Sequence, residues 1–214
     1  MSVVTRTILR EQVKEHLLER ILTGDYRPGQ RLVETRIAQE LGTSQAPVRE
    51  ALRDLELLRF VECAPFRGTW VREITREELA EIYPVRAALE DVAAREAALR
   101  LDGGVEALAI ELEAMRTAAD ADDLHGLVEH DVAFHRTIVE ASANSILLDV
   151  WLSLRVEART IITALTTGID HHELAETHEP VLAALADRDP DRAGRAIRRH
   201  IEDFGELLLR GGSA

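Results

Sequence analysis

Residues 24–71, GDYRPGQRLVETRIAQELGTSQAPVREALRDLELLRFVECAPFRGTWV, decide the fold through their punctuation. The Pro28-Gly29 turn closes whatever precedes it, and upstream Ile8, Val13, Leu17, Leu18, Ile21 and Leu22 recur at helical spacing, predicting an amphipathic helix over 8–22. Ile37, Ala38 and Leu41 predict a short second helix closed by Gly42. A third helix is predicted from Ser44 to Leu58, with Ser44 as its N-cap and Pro47 in a first turn whose N–H groups lack intrahelical partners anyway. Val48, Ala51, Leu52 and Leu55 form its inward face, leaving Gln45, Arg49 and Arg53 on the outward one. Two extended runs, 60–63 and 69–72, flank Ala-Pro-Phe-Arg-Gly and predict a hairpin with Arg67 and Gly68 at its tip.

Helix, short helix, helix and hairpin is the layout of a winged helix-turn-helix, which sets one helix in the major groove of double-stranded DNA and the hairpin on the backbone or minor groove. The N-terminus of the third helix, at Ser44, offers free N–H groups to a phosphate. Gln45 suits the N6/N7 edge of adenine and Arg49 the O6/N7 edge of guanine, with Arg53, Arg67 and Gly68 as further contacts. The plain alternative is a solvated polar face in which Arg53 pairs with Glu50, Asp54 or Glu56, and Arg36 with Glu40.

Charge divides at the same place as the pattern. The chain of 214 residues carries a net charge of -13, yet residues 1–72 hold 12 Lys plus Arg against 10 Asp plus Glu, and residues 73–214 hold 14 against 29. Only the first third suits DNA, so the domains are drawn as 1–73 and 74–214. A content of 46% hydrophobic and 30% charged residues excludes a disordered chain. The single Cys63 excludes an internal disulfide framework and points to a reducing, cytoplasmic setting. No secretory signal opens the chain, and no run approaches the roughly 18 apolar residues of a membrane span.

Beyond residue 73 the sequence is rich in Ala, Leu, Glu and Arg, without the alternation of strands. Thr75-Arg-Glu-Glu78 reads as a capping box, and breaks near residues 102–104, 120–123, 143–145, 167–168 and 187–190 divide the rest into about six helices. The fold class is therefore mainly α. Asp131 and His135 lie four apart on one face of a helix, and His178 and His200 fall among apolar neighbours on two later helices. A carboxylate with three neutral imidazoles suits Zn, Ni, Mn or Fe as the divalent ion, while satisfied core histidines are the plain alternative. His16, His125, His130, His171 and His172 have no such placement and are expected at the surface. Arg86 falls inside the apolar stripe Leu79, Ile82, Leu89, Ala93 and Ala97. A buried cation needs a partner, either Glu90 at i+4 or the carboxylate of a small organic acid. Asn144 is either a plain cap or a polar contact in the same pocket, and Arg155 and Arg159 are weaker candidates.

The first stretch resembles the DNA-binding domain of the GntR family of bacterial transcription regulators: Pro28-Gly29, Ala38, Leu41-Gly42, Ser44, Pro47-Val-Arg-Glu-Ala-Leu52 and Gly68 match in order and spacing. Thr43, Gln45 and Ala46 depart from the family's usual valine, arginine and threonine, so its common operator is not assumed. Residues 75–210 resemble the FCD effector-binding domain through Tyr83-Pro-Val-Arg-Ala-Ala-Leu-Glu90, Asp131-Val-Ala-Phe-His135, Ala141-Ser-Ala-Asn144, His178 and His200. The resemblance implies a homodimeric regulator, more often a repressor, that binds operator DNA and answers to a small organic acid. It also implies a metal on Asp131, His135, His178 and His200, and about six effector-domain helices imply the VanR-like subgroup. The rivals are a helical metal-dependent enzyme, for which no general acid or base motif is found, and a regulator whose histidines meet the effector without metal.

Overall fold

The computed structural model describes residues 3–22, 24–64, 67–73, 75–101, 104–154 and 156–210. Arg155 and residues 65 and 66 of the hairpin lie outside these. The chain forms two compact units, Met1–Thr75 and Arg76–Ala214.

In the first unit, α1 (Val3–Leu22) packs on α3 (Gln45–Leu57), with α2 (Glu34–Glu40) beside α3. Val13, Leu17 and Leu18 of α1 and Val48, Ala51, Leu52 and Leu55 of α3 are all buried. The predicted inward face is the observed one. Two strands, β2 (Val61–Ala64) and β3 (Gly68–Val71), make the expected hairpin, pairing Cys63 with Thr69 and Ala64 with Gly68. A third, β1 (Arg31–Leu32), was not foreseen; it adds to β3 and gives an antiparallel sheet of order β1-β3-β2. Two residues between a turn and a helix are too few to show an alternation, so this strand exists only through its pairing. Gly68, in the last ladder pair before the wing tip, has φ +113, so its backbone favours glycine, while a Cβ there would only push aside the flexible Arg31 side chain 2.8 Å away.

The second unit is entirely helical: α4 (Arg76–Ala80), α5 (Ile82–Arg100), α6 (Glu106–Asp120), α7 (Leu124–Ala141), α8 (Ser145–Ser153), α9 (Val156–Thr167), α10 (His171–Glu176), α11 (Glu179–Ala186) and α12 (Pro190–Arg210). These nine segments among the described residues exceed the expected six or so. The extra breaks, at Glu81 (φ -55, ψ -24) and His178 (φ -84, ψ -21), keep helix-like angles, so the chain bends without a turn residue to announce it. A third falls after Leu154. Helix counting therefore carries no information about the subgroup. The expected junctions are built from short polar caps: Asp123 accepts from Gly126 N, Asp170 from His172 N and Glu173 N, and Asp189 from Asp191 N and Arg192 N.

α5 lies against both α12 and α7. Small side chains permit the approach: Ala87, Ala93, Ala94 and Ala97 are fully buried on α5, and a Cβ at Gly205 of α12 would lie 2.9 Å from Tyr83 Cβ. That closeness brings α5, α7, α11 and α12 around one polar point in the core. None of the described helices is long and apolar enough to cross a membrane.

Candidate functional site

The candidate side chains fall into two sets, one on the surface of the first unit and one inside the second. On the first, Ser44, Gln45, Arg49 and Arg53 are all exposed along α3, and Arg67 is exposed at the wing. Ser44 sits at the N-cap with extended backbone (φ -84, ψ 164), but its side chain makes no capping hydrogen bond, contrary to expectation. The first N–H groups of α3 thus receive no oxygen from Ser44. Arg49 is not solitary. Its Nε donates to Glu34 Oε1 and Oε2 at 3.2 and 3.0 Å, and its Nη2 to Oε2 at 2.8 Å, a fork-on-fork pair across to α2. Arg31, Glu34, Arg49, Arg53, Glu56 and Gly68 line an open groove between α3 and the wing. Sequence reasoning missed Glu34 and Arg31, whose partners are fifteen or more residues away.

Inside the second unit, Asp131 and His135 of α7, His178 at the start of α11 and His200 of α12 converge, and each offers a ligand atom within 4.8 Å of the others. All four are buried. Asp131 and His135 share a face because they are one turn apart, and the small α5–α12 interface draws His200 inward. His178 Nδ1 lies 3.1 and 3.2 Å from the carbonyl oxygens of Leu174 and Ala175, which only accept, so Nδ1 carries a proton. Its Nε2 lies 3.1 Å from Asp131 Oδ1 yet makes no hydrogen bond of good geometry. Asp131 Oδ2 and His200 Nδ1 are also buried without partners, and His135 Nε2 is 3.2 Å from His200 Nε2. Buried polar atoms left without partners are what a cation would relieve, and one carboxylate with three imidazoles is a transition-metal donor set. The residues fit a divalent metal.

The electrostatics agree. Burial pushes Asp131 upward, but His178, His135 and Arg86 outweigh it and hold the carboxyl at about 2. Burial lowers His135, assisted by Arg86 against the pull of Glu90, and lowers His200 well below its ordinary value, assisted by His178 and His135. An ionised Asp131 beside His135 and His200 that burial keeps toward their neutral forms is the combination that binds metal.

Arg86 is buried and donates through Nε to Glu90 Oε1 at 2.7 Å, so the plain expectation for it holds, yet its Nη2 is buried without a partner. Glu90, foreseen only as that neighbour, is fully buried and also accepts from Trp151 Nε1 at 2.7 Å and His135 Nδ1 at 2.5 Å. Asn144 takes the plain alternative: it is exposed, and its Oδ1 accepts from Leu147 N at 3.0 Å as the N-cap of α8. Arg159 donates to Leu154 O. The remaining histidines are exposed or half-buried, as expected.

A winged helix followed in the chain by a helical unit with a buried polar cluster defines a ligand-responsive, DNA-binding transcription regulator. Residues 9–71 match the bacterial regulatory proteins of the gntR family, and residues 81–203 match the FCD domain. A relative from Paenarthrobacter nicotinovorans, named "Probable D-xylose utilization operon transcriptional repressor", is 36% identical over 94% of this chain and 89% of its own. The gluconate operon transcriptional repressor of Bacillus subtilis (strain 168) is 32% identical over 76% of this chain and 72% of its own. Among solved structures, E. coli McbR/YncC superposes with a TM-score of 0.67 at 26% identity, covering 94% of this chain and 97% of that one. The chain belongs to the GntR family, in its FCD branch. This family comprises transcription regulators, so the metal-dependent enzyme is set aside.

Proposed function

We propose that the protein is a cytoplasmic, homodimeric operator-binding repressor whose DNA affinity is set by a small carboxylate bound beside a divalent metal. Two copies of α3 read a short pseudo-palindrome, with half-site spacing fixed by the dimer. Gln45 and Arg49 read bases, while Ser44, Arg53 and the Arg67-Gly68 wing tip meet the backbone. Asp131, His135, His178 and His200 hold the metal, which when bound supplies a Lewis-acidic contact for one oxygen of the acid.

The observation that carries the effector class is Arg86 Nη2, a buried guanidinium donor with nothing to donate to. The charge balance points the same way. Glu90 and Asp131 are both held ionised against the single charge of Arg86, and a divalent ion turns that deficit into an excess of one positive charge. One carboxylate restores neutrality in a site where an unpaired charge is costly. Relatives named for gluconate and D-xylose operons support beginning a screen with sugar acids. The acid acts as inducer only if it prefers one of two arrangements of the dimer, because differential affinity alone shifts such an equilibrium.

Elemental analysis of tag-free protein, purified without chelators beside the variant Asp131→Ala/His178→Ala, tests the metal. About one transition-metal ion per chain in the wild type and none in the variant is expected. Protein that is metal-free and takes none up on dialysis would leave the histidines as direct effector contacts and remove the metal from this reading.

A further inference from the structure

We propose that Glu90 is the positioning residue of the metal centre: it fixes which nitrogen of His135 carries the proton, and so which one faces the metal. The inference rests on the reading of Asp131, His135, His178 and His200 as ligands. Glu90 receives donors from three helices, and they divide its oxygens. Arg86 Nε and Trp151 Nε1 both donate to Oε1 at 2.7 Å, whereas His135 Nδ1 meets Oε2 at 2.5 Å. A carboxylate only accepts, so Nδ1 carries the proton. The lone pair is left on Nε2, which faces His200 Nε2 at 3.2 Å and Asp131 Oδ1 at 4.0 Å.

The division of donors makes Glu90→Gln an unusually sharp variant. A glutamine has the same shape but a single acceptor oxygen, and guanidinium and indole N–H groups can only donate to it. Arg86 and Trp151 therefore hold the amide oxygen on their side, and the amide NH2 is turned toward His135 Nδ1. The imidazole must then accept at Nδ1 and carry its proton on Nε2. No proton is gained or lost; the tautomer exchanges, and the metal-facing nitrogen is blocked by a substitution that touches no ligand atom. Orientation of a ligating imidazole by a carboxylate on its far nitrogen is a general device of metal sites, and its removal typically weakens metal binding about 10–100-fold.

The test uses full-length protein labelled with 15N at histidine. Long-range 1H–15N correlation on metal-free protein reports the His135 tautomer, assigned by comparison with His135→Gln, and competition against a chromophoric chelator reports zinc affinity. In the wild type the proton is expected on Nδ1. In Glu90→Gln it is expected on Nε2, with zinc binding about 10–100-fold weaker while the helical circular dichroism is retained. Trp151→Phe removes one donor from the same carboxylate, so it perturbs packing yet should keep the wild-type tautomer and zinc affinity. If Glu90→Gln does not fold, Glu90→Asp keeps the charge but withdraws the carboxylate from His135, and should weaken zinc binding alone. An unchanged tautomer, or zinc affinity in a folded Glu90 variant equal to wild type, would overturn the proposal. Wild-type protein that takes up no zinc would instead overturn the ligand reading, while the tautomer comparison still decides the role of Glu90.

Discussion

Two arginine–glutamate pairs of the molecule stand in opposite surroundings. Arg49 and Glu34 meet on the surface of the first unit with side chains 52% and 31% exposed; Arg86 and Glu90 meet in the core of the second at 8% and 0%. Their closest contacts, 2.8 and 2.7 Å, are nearly identical. Geometry therefore does not separate them; solvent does. Water screens the surface pair and replaces either partner when it leaves, so the pair contributes little to stability and is free to exchange its partner for a nucleic acid. The buried pair has no such substitute. Removing one member strands the other in a medium that cannot solvate it, and this makes it a fixed element around which a site can be built.

The largest effect expected of this contrast follows Glu90→Ala. It strands three buried donors, on Arg86, Trp151 and His135, and should destabilise the protein by about 3–5 kcal/mol in chelator, as read by urea unfolding. A loss below about 1 kcal/mol would show that the buried pair behaves like a surface one. The double variant Arg86→Met/Glu90→Leu sharpens the point by removing both charges at similar volume. It should regain part of that stability while losing the response of operator binding to any acid. Full recovery of stability together with a retained response would break the link between the buried pair and the effector.

The two regions also differ in how far the sequence discloses them. The winged helix was legible almost residue by residue because its determinants are local: helix spacing, Pro28-Gly29, Gly42 and Gly68 each act within a few positions. The buried cluster was legible for a related reason, since Asp131 and His135 share a helical face and His178 and His200 interrupt apolar ones. What escaped was long-range. Glu34 is unremarkable in the first turn of α2 until Arg49 reaches across to it. Glu90 appeared as a helix neighbour of Arg86, while its bonds to His135 and Trp151 span 45 and 61 residues. Asn144 stayed open in sequence, since a cap and a pocket contact look the same there, and its exposure and its bond from Leu147 N mark the cap. The bends at Glu81 and His178 lacked a turn residue because none is needed where the backbone stays near helical angles.

On the surface side the expected effects move from folding to binding. Arg49→Ala should leave the unfolding midpoint unchanged and weaken operator binding about 10–100-fold in a gel-shift or anisotropy titration, with metal content unaltered. Preserved operator affinity would remove α3 from the role of reading helix and leave the groove beside the wing without a function.

Glu34→Ala is the smallest and most discriminating change. It frees the Arg49 fork and takes one negative charge out of a groove also lined by Arg31 and Arg53. Binding to non-operator DNA should tighten a few-fold at low salt, because phosphate attraction has lost a repulsive neighbour. Operator binding should gain less, because an unrestrained guanidinium gives up orientation and bidentate base reading depends on orientation. The ratio of operator to non-operator affinity should therefore fall while both absolute affinities hold or rise. A merely structural ion pair would move neither quantity, and a fall in both would mean that Glu34 contributes to the DNA contact itself. Either result would place the exposed pair outside the behaviour that separates it from Arg86 and Glu90.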